Sequence, residues 1–228
     1  MKYLKTLNEL NELKEWKRLK PFRPYGVKAI NVSGIELNDI CQKLKINEKA
    51  SFISSGSFGN AYSIGDDRVL KITSDKREAK TAWDLIKANN PSIVKYSGVW
   101  RYQLRDGMVW VVLMEKVEPL QSYIKNNLFR DRYMVELTDD ALDLAYFNWN
   151  EISHEEFMSE IEKKWILNGS GKKIVNCIWD CYKSLKSFSI LDFHKGNLGF
   201  TKDGRLVLFD VSPLNLKVRR FDDVPILN

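Results

Sequence analysis

Cysteine and histidine are both scarce in this chain. Its 228 residues include three cysteines (Cys41, Cys177, Cys181) and two histidines (His154, His194). Three thiols build no disulfide framework. Cys177 and Cys181 lie one helical turn apart, but neither histidine stands at ligand spacing from them, so they read as core residues and not as a zinc site. There is no apolar run long enough to cross a membrane and no signal-peptide pattern, which predicts a reducing, cytosolic setting. Internal repeats and low-complexity segments are also lacking. Charge imbalance is confined to one end. Residues 1–28 carry eight Lys/Arg against three Glu, which leaves little of the net +6 to the remaining chain. A folded body so nearly neutral is not expected to bind nucleic acid.

What is present is an ordinary globular composition, 44% hydrophobic and 29% charged. Residues 2–20 read as a basic amphipathic helix, with Leu4, Leu7, Leu10, Leu13, Trp16 and Leu19 three apart, stopped by Pro21 and Pro24. It wraps its own domain or meets a partner or membrane surface. A strand-like run from Val27 to Val32 and a helix around Asn38–Ile46 follow. From Phe52 to Ile72 the pattern becomes strand, glycine-rich turn (Ser54-Ser55-Gly56-Ser57-Phe58-Gly59), strand, turn (Gly65-Asp66-Asp67), strand, which is an antiparallel meander. A helix over 75–90 is expected from Ala79, Ala82, Trp83 and Ile86. Two strands, Ile93–Trp100 and Met108–Glu115, are joined through Arg105-Asp106-Gly107. The second is nearly all apolar and so expected at the centre of its sheet. Glu115–Pro119 reads as a linker and as the best domain boundary.

Beyond it the chain reads as helical. The expected helices are Ser122–Asn127, Thr138–Tyr146, one capped by Ser153 with Glu156 and ending near Leu167-Asn168-Gly169, and one over 171–188. The last delivers the chain to Leu191-Asp192-Phe193-His194-Lys195-Gly196-Asn197, a loop entering a β-hairpin that closes at Leu206–Asp210. This divides the chain into an N-terminal helical extension (1–49), a β-rich unit (50–117) and a helical unit (118–228).

Several residues carry chemistry by type and place. Gly56 and Gly59 let backbone approach a bulky anion, with the amides between them free to face phosphate oxygens. The missing Gly-Lys-Ser/Thr excludes a P-loop. Lys71 sits on the apolar strand Val69–Ile72, either as a surface lysine or pointing into a ligand cleft. Glu78, in the first turn of the next helix, either serves the helix dipole or faces Lys71. Asp192, Asn197 and Asp210 put three oxygen-bearing side chains on loops held by apolar strands, the ligand type that hard divalent cations need beside a carboxylate base.

In this order the motifs resemble the protein-kinase-like superfamily over residues 50–212. The resemblance implies an α+β, two-lobed fold with a mainly antiparallel β N-lobe and a reduced helical C-lobe. Residue by residue, it implies a nucleotide-covering loop at Gly56, Ser57, Phe58 and Gly59 and a phosphate-contacting lysine at Lys71, paired with Glu78. An adenine-receiving hinge falls at Glu115 to Val117, the catalytic aspartate at Asp192, and Mg²⁺ ligands at Asn197 and Asp210. Lys195 would stabilise transferred charge, and His194 would support the loop by hydrogen bonding in preference to acting as base. The cofactors implied are ATP and Mg²⁺.

The departures are equally specific. Ser54 and Ala61 replace a glycine and a valine, Ile190-Leu191 replace His-Arg, and Val211-Ser212 replace Phe-Gly. Only 18 residues follow Asp210, too few for an activation segment and a peptide-docking platform, and Glu78 follows Lys71 by only seven residues. The Asp-Phe-His-x-Gly-Asn wording is similar to aminoglycoside-phosphotransferase-like and compact microbial or bacteriophage kinases. The implied activity is a small serine/threonine-protein kinase, acting on a host protein or on itself in the cytoplasm (the host's, if phage-encoded). Three other readings stay open: a nucleotide-binding pseudokinase, an interaction protein working through its N-terminal helix, and a small-molecule kinase. For the last, Asp131, Asp139, Asp140 and Asp143 are candidate acidic wall residues, unless they line solvated helix faces.

Overall fold

The computed structural model describes residues 32–56, 58–87, 90–127, 132–147, 152–186, 195–210 and 224–227. The expected helix over 2–20 and the Val27–Ile30 run lie outside them. The architecture is α+β, with an antiparallel five-stranded sheet, a smaller three-stranded sheet and six helices among the described residues.

Helix α1 (Gly34–Lys43) opens on Ser33, which forms a capping box with Glu36. The Ser33 Oγ accepts from the Glu36 amide at 3.2 Å, and the Glu36 carboxylate accepts from the Ser33 amide at 2.9 Å. The large sheet comprises β1 (Ala50–Ser55), β2 (Gly59–Ile64), β3 (Arg68–Thr73), β4 (Tyr96–Leu104) and β5 (Gly107–Glu115) in the order β1-β2-β3-β5-β4. The apolar β5 is therefore interior but not central. β3 takes the middle, and β4 gains a further neighbour where Arg101 pairs with Ile226. That contact covers part of an otherwise open edge. The strand expected to start at Ile93 starts at Tyr96; Ile93 instead bridges to Leu208.

Two-residue alternation assigns the faces of the sheet. Leu70, Ile72 and Val111 turn to one side and pack with Tyr62 and Ile64 against Ile40 and Cys41 of α1. Val112 turns to the other side, where helix α2 (Lys76–Leu85) lays down Ala79 and Ala82, and Val99 and Val224 complete that cluster. Lys71 pairs in register with Val112 and so shares the α2 face. Gly59 is required by backbone packing, because a Cβ there would lie 2.2 Å from the Ile72 carbonyl oxygen and 2.9 Å from Thr73 Cα.

The segment read as a linker is itself a strand. β6 (Val117–Pro119) pairs with β7 (Leu198–Thr201), which pairs with β8 (Leu206–Leu208). The expected boundary between residues 117 and 118 thus falls within an element. Helices α3 (Leu120–Asn127), α4 (Arg132–Phe147), α5 (His154–Glu162) and α6 (Gly169–Lys186) follow β6 in the chain. Helix α4 starts six residues before the expected Thr138, whose buried hydroxyl donates to the Met134 carbonyl at 2.7 Å inside the helix. Helix α5 keeps its Ser153–Glu156 capping box but ends at Glu162. Asn168 and Gly169 begin the next helix; the Asn168 Oδ1 accepts from the Gly171 amide at 2.7 Å, as an N-cap does.

The largest core cluster lies among α4, α5, α6 and the hairpin, around Leu137, Ala141, Phe157, Ile178, Leu185, Leu198 and Leu208, all with no exposed surface. Cys181 is buried there, and burial pushes its thiol up to about 12, as befits a core residue. No helix among the described residues is long and apolar enough to cross a membrane.

Candidate functional site

The site forms where the α2 face of the large sheet meets the end of the small one. Lys71 leaves β3 on that face, and α2 begins five residues later, after a turn capped by Asp75, whose carboxylate accepts from the Arg77 amide at 2.8 Å. This short link puts Glu78, in the first turn, beside Lys71, and the two form an ion pair. From the other direction comes Asp210, with its Oδ1 3.4 Å from the Lys71 Nζ. One ammonium thus lies between two carboxylates 139 and seven residues away in sequence. Burial opposes its charge, but Glu78 and then Asp210 outweigh that, so Lys71 holds its proton more tightly than an ordinary lysine. Tyr96 backs the site. Burial, and then the Glu78 and Asp210 charges, keep its phenol well above the usual range.

Asp210 is placed by the hairpin. The β7–β8 register, Leu198 opposite Leu208, continues one step outward, where the Phe209 amide donates to the Asn197 carbonyl at 2.8 Å. Asn197 and Asp210 therefore emerge at the same end of the hairpin. Asn197 is 7% exposed, while the Asp210 side chain is half exposed. Among the described residues no group of three or more His, Cys, Asp or Glu side chains gathers as a metal centre. Asn197 and Asp210 are residue types that a hard cation accepts as ligands, and the hairpin brings their backbones to the same end.

The hairpin is locked to the sheet behind the site. The Leu208 amide donates to the Ser92 carbonyl at 2.8 Å and the Val94 amide to the Leu208 carbonyl at 3.0 Å. Val94, Met114 and Val207 are buried together at this seam. Arg205, in the β7–β8 turn, donates to both Glu115 carboxylate oxygens at 3.1 and 3.2 Å and to the Pro91 carbonyl at 3.0 Å. The Glu115 side chain is thereby occupied, and Val117 is paired with Thr201 in the small sheet. Neither this latch nor Arg205 was legible in the sequence, since an arginine in a polar turn carries no pattern.

The glycine-rich turn is held at its base. The Phe58 carbonyl accepts from the Ser74 amide at 2.8 Å and from the Ser74 hydroxyl at 3.1 Å, and the Gly56 amide donates to the Gly59 carbonyl at 2.8 Å. The two glycines serve different ends. Gly59 answers to strand packing, whereas a Cβ on Gly56 would meet, among the described residues, only the Gly59 carbonyl at 3.9 Å. Ser57 lies outside the described residues, as do Asp192 and His194.

Lys195 donates to both oxygens of Asp139 on α4, at 2.8 and 2.7 Å. It thus ties the entry of the hairpin to a helix. Asp140 is likewise engaged, by Lys164 at 2.5 Å and by the Trp165 indole at 2.7 Å. These two acids act as struts between elements, not as an open acidic wall. His154 is exposed, as expected, with its Nε2 3.1 Å from Asn176 Oδ1.

No model of a known protein family matches the chain, and no curated protein matches it.

Proposed function

We propose that the chain is an ATP-dependent phosphotransferase of protein-kinase-like, two-lobed architecture, acting as a small serine/threonine kinase on a partner protein or on itself. Lys71, held between Glu78 and Asp210, is the observation that carries this reading. A lysine clamped by a local carboxylate and a remote one is suited to lie along a polyphosphate, exchanging its Asp210 contact for phosphate oxygens while Glu78 keeps its direction. The room around Gly56 supports the same reading, since backbone there can approach an anion. Between β5 and β6, where the resemblance puts the base, the Glu115 carboxylate is taken by Arg205 and so is not the group that would contact it.

The chain's own residues divide the work. Lys71 neutralises phosphate charge, and Glu78 orients Lys71. Asn197 and Asp210 are the residues that would hold Mg²⁺, which when bound supplies Lewis-acid stabilisation of charge on the transferring group. Asp192 is assigned to orient the acceptor hydroxyl and take its proton. Lys195, paired with Asp139, acts on this reading through the shape of its loop before it acts on charge. Positioning and electrostatics, with no covalent intermediate, account for the rate.

The test is transfer from γ-labelled ATP with Mg²⁺, for the protein alone and with cell extract, beside Asp192→Ala and Asp210→Ala. Label on the protein or on extract proteins, absent from both variants, is the expected result. Label confined to small molecules would move the acceptor to an antibiotic-like hydroxyl compound. No transfer, with ATP still raising the Tm, would leave a nucleotide-binding pseudokinase. The absence of both transfer and ATP binding would overturn the enzymatic reading.

A further inference from the structure

We propose that Thr73 is a positioning residue, whose hydroxyl fixes the Glu78 carboxylate so that one of its oxygens is turned to Lys71. Thr73 stands two residues after Lys71 on β3 and so points to the same face, and it has no exposed surface. Its Oγ1 donates to Glu78 Oε2 at 2.8 Å, while the other carboxylate oxygen, Oε1, pairs with Lys71. The same Oγ1 accepts from the Asp75 amide at 3.1 Å, which fixes the hydroxyl against the turn that starts α2.

A second acceptor lies near the same hydroxyl. The Phe58 carbonyl, at the base of the glycine-rich turn, lies 3.3 Å from the same hydroxyl. A hydroxyl has one proton, so it donates fully to Glu78 or to Phe58, and the shorter distance favours Glu78. Phe58 loses nothing by this, since Ser74 already supplies it with an amide and a hydroxyl donor. One buried atom therefore joins the start of α2 to the acid that orients Lys71, beside the base of the glycine-rich turn. Without the hydroxyl, the seven-residue link would still bring Glu78 near Lys71, but one carboxylate oxygen would be left without its buried donor and free to rotate.

The role in catalysis rests on the proposed phosphotransfer, but the positioning itself does not, so the experiment reads them separately. Thr73→Val keeps shape and removes the hydroxyl, and Thr73→Ser restores it. The first readout is the acylation rate of Lys71 by an amine-reactive reagent at fixed pH, followed by peptide mass spectrometry. Glu78→Gln serves as the positive control, and the other lysines and the Tm report any loss of fold. Thr73→Val is expected to raise Lys71 labelling several-fold while other lysines stay unchanged, with Thr73→Ser close to wild type. The second readout is steady-state transfer, where Thr73→Val is expected to cost roughly tenfold in kcat/KM for ATP, again rescued by serine. Labelling of Lys71 at the wild-type rate in folded Thr73→Val would overturn the proposal. A selective rise rescued by serine establishes the positioning even if the wild type transfers no phosphate, in which case only the catalytic reading falls.

Discussion

The two carboxylates on Lys71 belong to regions built on different principles. On the sheet side, Lys71, Thr73 and Glu78 lie within eight residues, and their meeting follows from strand alternation, a short capped turn and the first turn of a helix. On the hairpin side, Asp210 arrives from 139 residues away and depends on the β7–β8 register, the Ser92–Leu208 pairing and the Arg205 latch. The local contact is a tight ion pair with a further buried donor; the remote one is a 3.4 Å approach to a half-exposed carboxylate. On the proposed function, such a site keeps its lysine oriented by Glu78 while Asp210 is the partner that a phosphate would displace.

Substitutions can break that division. The largest effect is expected from Phe157→Ala in the helical cluster beneath the hairpin, at about 3–5 kcal/mol of stability. If the seam makes one cooperative unit, urea unfolding followed by far-ultraviolet dichroism and by tryptophan fluorescence will shift together. Separate midpoints would show that the sheet survives without the helices. Next is Gly59→Ala on the sheet side, where the new Cβ presses on the Ile72 carbonyl. A loss of about 1–3 kcal/mol is expected in the same titration, and an unchanged midpoint would mean that β2 and β3 separate at little cost.

The smallest effect sharpens the comparison from the hairpin side. Asp203, bonded by Thr201 and Arg205 in the β7–β8 turn, has its carboxyl held down to about 2. A depressed carboxylate favours the folded state in full above its unfolded pKa of about 3.9, and that contribution fades as pH falls toward about 2. Urea midpoints measured between pH 5 and pH 2 should therefore fall less steeply for Asp203→Asn than for wild type. Equal slopes would mean that this turn does not hold the carboxylate.

Local signals were readable where one element contains its own cause. The Ser153–Glu156 capping box, the Gly65-Asp66-Asp67 turn, the meander and the α2 stripe all appear at or within a few residues of their expected places. The misreadings share a physical reason. Asn168-Gly169 has the composition of a helix end, yet the side chain of Asn168 caps the helix that follows. Glu115–Pro119 looks like a breaker, but its last three residues gain a partner strand, β7, from about 80 residues away. Thr138 sits inside α4, where its hydroxyl bonds back to the Met134 carbonyl instead of capping a helix.

By itself, the sequence determined the antiparallel meander, the Ser153–Glu156 cap, the absence of a disulfide framework and the nearness of Glu78 to Lys71, while leaving open whether the two pair. These depend on periodicity and on residues a turn or two apart. Only the tertiary structure decided that Asp210 reaches the same lysine, that Arg205 latches the hairpin to Glu115, that Lys195 is tied to Asp139, and that Thr73 stands behind Glu78. Register across a sheet and packing between distant segments are set by the sum of many weak contacts, and no single residue pattern encodes that sum.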